Sequence, residues 1–262
     1  MPARDADHGP VFGGRPTLLG HRGMGREDVD GLAENSLESI VAAAHTGLRW
    51  VEFDVRRTAD DALVVGHYPT IADRDFLADL TLEQARELGA VTLAEVLTAL
   101  PEGVGVNLDL KTAMEDALRP RETTTAGLVA PVAAAERGRR SVLVSSFDPS
   151  ALVVLEEVAP GTPRALLTWV AFPLRKAIPA AAHLGVEVVA AHSSSFGANP
   201  VDRAPTFRSA AYAVEVAHRA GLEVVAWCPP APEARELLAA GVDAVVVDDV
   251  PHSLAALRDV AD

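Results

Sequence analysis

The chain has 262 residues, 49% of them hydrophobic, and a formal net charge of −14. That acidity excludes a nucleic-acid partner, since phosphate backbones need a basic face, and it disfavours docking on anionic membrane. Cys228 is the only cysteine, which rules out an intrachain disulfide and fits a reducing compartment, so a cytoplasmic location is expected.

Residues 1–15 carry no apolar core of signal-peptide length and read as a loose leader. No apolar run elsewhere reaches about 18 residues, the length of a membrane-spanning helix, so no stable membrane insertion is expected. Strand candidates follow in order: PTLLG (16–20), RWVEFDV (49–55), GVGVNLDL (103–110), SVLVS (141–145), RALLT (164–168), VEVVAA (186–191), LEVVAW (222–227) and DAVVVD (243–248). Between them lie helical patterns, apolar at threes and fours, such as ENSLESIVAAAHTG and TFRSAAYAVEVAHRAG. Both end at a glycine, Gly47 and Gly221, where a left-handed cap is expected. Pro131 is expected to kink a third helix.

The strand candidates are short and apolar on both faces, as buried parallel strands are. Eight strand–helix units in one chain of this length predict a single (β/α)₈ TIM barrel over 1–262, with a short excursion at about 62–100 between strands two and three. A doubly wound open sheet is the runner-up, but no glycine-rich dinucleotide fingerprint follows the first strand.

In a barrel, residues two apart on a strand point to the same side, and chemistry gathers at the strands' C-terminal ends. The first strand ends in His21 and Arg22, the second carries Glu52 and Asp54, and the third carries Asp109 and Lys111. Taken singly, each pair has a bland reading: a solvated strand edge, a simple ion pair, or a helix cap. Together they aim six ionisable groups at one end. A hard divalent cation, Mg²⁺ or Ca²⁺, on Glu52, Asp54 and Asp109 would relieve the repulsion between buried carboxylates. No cysteine cluster or H-x-x-x-H pair points to zinc. His67 follows the apolar run ALVVG and is either a turn residue or an acid–base partner for His21.

These motifs resemble the glycerophosphodiester phosphodiesterase family, whose members are TIM barrels. The matching pieces are GHRG, ENSLES, VEFDVRRTADDALVVGH, NLDLK, SSF and GVDAVVVDDVP, in family order over about residues 17–251. The resemblance implies His21 and His67 as the acid–base pair, Arg22 and Lys111 on the substrate phosphate, and Glu52, Asp54 and Asp109 on a divalent metal. It implies that Asn35 helps hold the first loop or the phosphate region, with Trp227 at the pocket. The implied reaction is hydrolysis of a small phosphodiester to glycerol 3-phosphate and an alcohol.

The chain departs from the family pattern at Tyr68, where an aspartate usually follows the histidine, at Asp109 in place of a glutamate, and in WCPP (227–230). The segment AAHSSSFGANP adds His192 and Phe196 near the same rim, and Asp248 is expected to be structural. Two alternatives stand beside hydrolysis: a phospholipase- or lyase-type activity on lysophospholipids, and a phosphate-binding barrel without catalysis.

Overall fold

The computed structural model describes residues 9–72, 74–203 and 206–260. Eight parallel strands form a ring: β1 (Thr17–Gly20), β2 (Trp50–Arg57), β3 (Gly105–Leu110), β4 (Val142–Ser146), β5 (Arg164–Leu167), β6 (Val188–His192), β7 (Glu223–Trp227) and β8 (Ala244–Val247). Each pairs with the next, and β8 pairs with β1 from Thr17↔Ala244 to Gly20↔Val247, which closes the barrel. Every strand lies within two residues of the bounds its hydrophobic run predicts.

One helix follows each strand: α1 (Leu37–His45), α2 (Leu93–Ala99), α3 (Thr125–Glu136), α4 (Pro149–Val158), α5 (Leu174–Leu184), α6 (Ala210–Arg219), α7 (Ala231–Ala239) and α8 (Val250–Leu257). Gly47 and Gly221 have φ of +94° and +77° just past α1 and α6, as their positions predict. Helix α3 runs on through Pro131. Its Ala126, Val129, Ala130 and Ala133 are buried, and that packing offsets the one lost backbone bond.

The strands' alternating side chains build two cores. Leu18, Val51, Phe53 and Leu108 face outward into the layer shared with the helices. Leu19, Trp50, Leu143, Val188, Val225 and Val246 fill the barrel's interior. Gly105 sits opposite Trp50, where a Cβ would meet the indole ring at 2.6 Å, so only glycine leaves room for it.

The expected leader is not loose throughout. Phe12 is buried and packs on Trp50 with ring centroids 5.2 Å apart, while the Val11 and Phe12 amides donate to the Glu223 carboxylate. Residues 1–8 lie outside the described residues.

The excursion begins as β2 turns back on itself. Leu63–Val65 runs antiparallel to β2, and Val91–Thr92 pairs with it in turn. An extra helix (Leu82–Glu87) lies between them over a small core of Val64, Leu77 and Ala85. This return strand delivers His67 to the barrel's C-terminal end. Among the described residues, no helix is long and apolar enough to cross a membrane.

Candidate active site

The β2–β3 register sets Trp50, Glu52 and Asp54 beside Gly105, Asn107 and Asp109. Period-two alternation turns all of them toward the barrel interior, with the tryptophan at the bottom and the carboxylates above it. Glu52, Asp54 and Asp109 are buried, and their oxygens come within 4.8 Å of one another. Burial and the neighbouring Asp54 charge push the Glu52 carboxyl up to about 8. Burial also raises Asp109, despite Lys111 beside it. Asp54 goes the other way: burial opposes its ionisation, but the hydrogen bond with His67 and the charges of Lys111 and Arg22 hold it below the usual carboxylate range.

Lys111 bridges two of these acids, with Nζ 3.0 Å from Asp54 Oδ1 and bonded to Asp109 Oδ2. Arg22 takes a left-handed φ of +53°, which aims its amide at Glu52 Oε2 (2.8 Å) and its side chain across the site. One guanidinium nitrogen donates to Glu34 (2.7 Å), and another lies 3.2 Å from His67 Nε2. Asn35, also left-handed at φ +58°, grips Asp54 from both sides: its Nδ2 donates to Oδ2 (2.8 Å) and its Oδ1 accepts the Asp54 amide (3.1 Å). The Glu-Asn pair lies ahead of α1, because Ser36 caps that helix by accepting the Ser39 amide.

The two histidines are held alike. His21 Nδ1 is 2.5 Å from Asp248 Oδ1, and its Nε2 lies 3.9 Å from Glu52. His67 Nδ1 is 3.3 Å from Asp54 Oδ2, and Arg56 fixes the residue by donating twice to its backbone carbonyl. Burial pulls the His21 imidazole down, but its hydrogen bonds with Asp248 and Cys228 and the charge of Glu52 outweigh that and hold it well above its ordinary value.

His21, Arg22, Glu52, Arg56, His67, Asp109 and Lys111 line one cavity of about 770 Å³ at the C-terminal end of the barrel, and buried Asp54 and Asn35 are not part of its lining. Its far wall is aromatic. Phe147 stacks on Trp169 at 4.5 Å and meets the edge of Trp227 at 5.9 Å. Buried Asp109 Oδ1, Asn107 Oδ1, Ser145 Oγ and Trp227 Nε1 line the cavity without a hydrogen-bond partner. A larger cavity of about 1210 Å³ lies outside the barrel between α5 and α6 and contains none of these residues.

The structure thus brings together His21, Arg22, Asn35, Glu52, Asp54, His67, Asp109, Lys111 and Trp227, the nine residues singled out in the sequence. Phe196 is different: it is buried in the layer between strands and helices, and does not wall the pocket. His192 meets Trp227 edge to face, with ring centroids 4.4 Å apart. Four contributors escaped the sequence reading in these roles. Asp248 orients His21, Cys228 contacts both, Glu34 clamps Arg22, and Arg56 fixes His67.

The profile of the glycerophosphoryl diester phosphodiesterase family matches residues 21–252, from the first catalytic candidate to α8. The chain belongs to that family. Among solved structures, a glycerophosphodiester phosphodiesterase from Thermotoga maritima superposes with a TM-score of 0.67 at 23% identity, covering 95% of this chain and 98% of that one. A phosphodiesterase from Oleispira antarctica, in complex with the product sn-glycerol-3-phosphate, gives 0.73 at 22% identity over 96% and 100%. At that identity they attest the shared fold. Glycerophosphocholine phosphodiesterases of Eremothecium gossypii and Candida albicans are 40% and 43% identical over 78 and 75 residues, which is 27% and 26% of this chain. The match spans only 6% of the length of either relative.

This member of the family has a donor set that fits a hard divalent cation: three buried carboxylates, one with an oxygen lacking any partner. The raised Glu52 gives a test. A carboxyl whose folded value lies above its ordinary 4.5 keeps the folded protein more protonated than the unfolded chain. Its stabilising contribution is therefore complete below 4.5 and is lost as pH rises toward 8. Thermal unfolding of the metal-free protein is expected to shift to lower temperature across that window. Added Mg²⁺ or Ca²⁺ reverses the shift, more strongly at the alkaline end. A midpoint insensitive to either ion at every pH would rule the carboxylates out as ligands.

Proposed function

We propose that this chain hydrolyses glycerophosphodiesters to glycerol 3-phosphate and an alcohol, with His21 and His67 as the acid–base pair. One arrangement carries the reading: two imidazoles with Nδ1 tied to a carboxylate and Nε2 directed at the same carboxylate- and cation-lined cavity. A Nδ1–H on His67 donating to Asp54 leaves Nε2 as the acceptor facing Arg22, the tautomer that a general base requires. The Asp248 carboxylate on Nδ1 favours the charged form of His21, suited to protonating the leaving oxygen. Arg22 and Lys111 bind phosphate oxygens, and Asn35 positions the loop that carries Arg22 against Asp54.

A divalent ion, Mg²⁺ or Ca²⁺, on Glu52, Asp54 and Asp109 would supply charge stabilisation to the phosphoryl oxygens in the transition state. The single cysteine fits a reducing compartment, and a cytoplasmic location is part of the proposal.

The test is release of glycerol 3-phosphate from a panel of glycerophosphodiesters, with Mg²⁺, Ca²⁺ or chelator. Turnover that the chelator abolishes supports the reading, and a panel with no turnover overturns it. One observation favours a second reading: Tyr68, Trp169 and Val170 stand exposed at the cavity mouth, room for an acyl chain. Release of a cyclic phosphate from lysophospholipids, without glycerol 3-phosphate, would select that alternative.

A further inference from the structure

Behind the catalytic candidates lies a second group of ligand-type atoms. The Cys228 thiol donates to Asp248 Oδ1 at 3.1 Å and lies 3.6 Å from His21 Nδ1, and the same carboxylate oxygen is 2.5 Å from that nitrogen. A sulfur, an imidazole nitrogen and a carboxylate oxygen therefore stand at the corners of one small triangle. Barrel closure makes it: Cys228 follows β7, Asp248 follows β8 and His21 follows β1, three neighbouring strands. Cys228 takes a left-handed φ of +55°, a conformation that costs free energy in any residue but glycine. That twist follows directly on Trp227, at the head of the turn that ends in two prolines.

The spacing suits a tetrahedral ion. Zinc takes sulfur at about 2.3 Å and nitrogen or oxygen at about 2.0–2.2 Å, so its ligand atoms stand about 3.3–3.7 Å apart. The two sulfur edges already lie near that range. The third needs the Asp248 carboxylate to swing outward and give up its present bonds, and its side chain, 36% exposed, has room on the solvent side. The hard-ion cluster of Glu52, Asp54 and Asp109 offers oxygen alone, whereas this triangle offers a thiolate.

We propose that Cys228 Sγ, His21 Nδ1 and Asp248 form a separate binding site for a soft divalent transition-metal ion, zinc or cadmium, and that filling it inhibits the enzyme. Binding forms metal–sulfur, metal–nitrogen and metal–oxygen bonds in place of metal–water bonds, and the thiol proton and any proton on Nδ1 leave to solvent. With Nδ1 on a cation, the ring loses its bond to Asp248, and its Nε2 becomes a poorer proton carrier. The inhibition rests on the proposed hydrolysis; the binding does not.

Because the chain has one cysteine, the ultraviolet sulfur-to-cadmium charge-transfer band reports a single atom. Titrating the full chain with Cd²⁺ in excess Mg²⁺ is expected to saturate this band at one equivalent. Cys228→Ser abolishes it, and His21→Ala weakens Cd²⁺ binding by about 10- to 100-fold or more, given that changes outside the ligand sphere already cost that much. No band in the unaltered protein, or a band of unchanged affinity in His21→Ala, overturns the site. In turnover assays at saturating Mg²⁺, Zn²⁺ inhibits the unaltered enzyme, and Cys228→Ser, whose hydroxyl keeps the hydrogen bond to Asp248, is about tenfold or more less sensitive. Equal sensitivity would place the inhibiting ion on the carboxylates and overturn the inhibitory role. A protein with the cadmium band but no turnover on any phosphodiester would leave the site standing and remove the hydrolase reading.

Discussion

Replacing His21 by alanine is expected to lower kcat by about 10²–10⁴-fold, the range for losing a positioned general acid or base. The side chain fills no part of either hydrophobic core, but it is bonded to Asp248 and lies 3.9 Å from buried Glu52, so the thermal midpoint should also fall and the rates are compared well below it. His67→Ala should cost a similar factor, and the double variant little more, because the two act on one transition state. The leaving group separates their roles. If His21 protonates the departing oxygen, an activated phosphodiester with a nitrophenolate leaving group needs no such proton, and His21→Ala should recover most of its rate on it. His67→Ala should stay slow on both substrates. Equal losses for the two variants on both substrates would refute this division of labour. An unchanged kcat in either variant would remove that histidine from the mechanism.

The barrel was legible because buried parallel strands leave continuous apolar runs, and those runs bounded every strand to within two residues. The acidic cluster was legible for a related reason. Alternation on β2 and β3 fixes which residues share a face, and the register then makes Asp54 and Asp109 direct neighbours. Phe12 gave no such signal: one aromatic among glycines and prolines has no period, and its burial depends on the barrel having a bottom to close. The Glu34–Asn35 pair looked like a helix start, but Ser36 is the better cap, and the pair is left in the loop to hold Arg22 and Asp54. The contact between Asp248 and His21 spans 227 positions of sequence. It follows only from ring closure, which sets the end of β8 beside the end of β1. A barrel prediction contains that adjacency, and pursuing it would have moved Asp248 from a structural role to an orienting one.

Asp54 is where the site and the stability of the fold meet. Only 1% exposed, it accepts the Asn35 side chain, lies 3.3 Å from His67, and faces Arg22 at 3.4 Å and Lys111 at 3.0 Å. Removing one partner from a buried charge network is more costly than the network is worth, because the remaining charges keep their desolvation and lose their counter-ion. Asp54→Ala is therefore expected to destabilise the protein by about 3–5 kcal/mol at neutral pH, read from urea unfolding. Asp54→Asn preserves volume but should still lose a large part of this, since an amide cannot neutralise Lys111 and its nitrogen would face a donor in either orientation, Asn35 in one and Lys111 in the other. The sign of the pH dependence follows from the depressed carboxyl. Its contribution is fully present above the ordinary 3.8 and is lost as pH falls below that value, so the gap between the parent protein and the variant should narrow only in strong acid. A gap under about 1 kcal/mol at neutral pH, the scale of a surface ion pair, would mean that water or Asp109 compensates for the missing charge. Asp54 would then serve His67 and the metal alone, with no part in holding the barrel's mouth together.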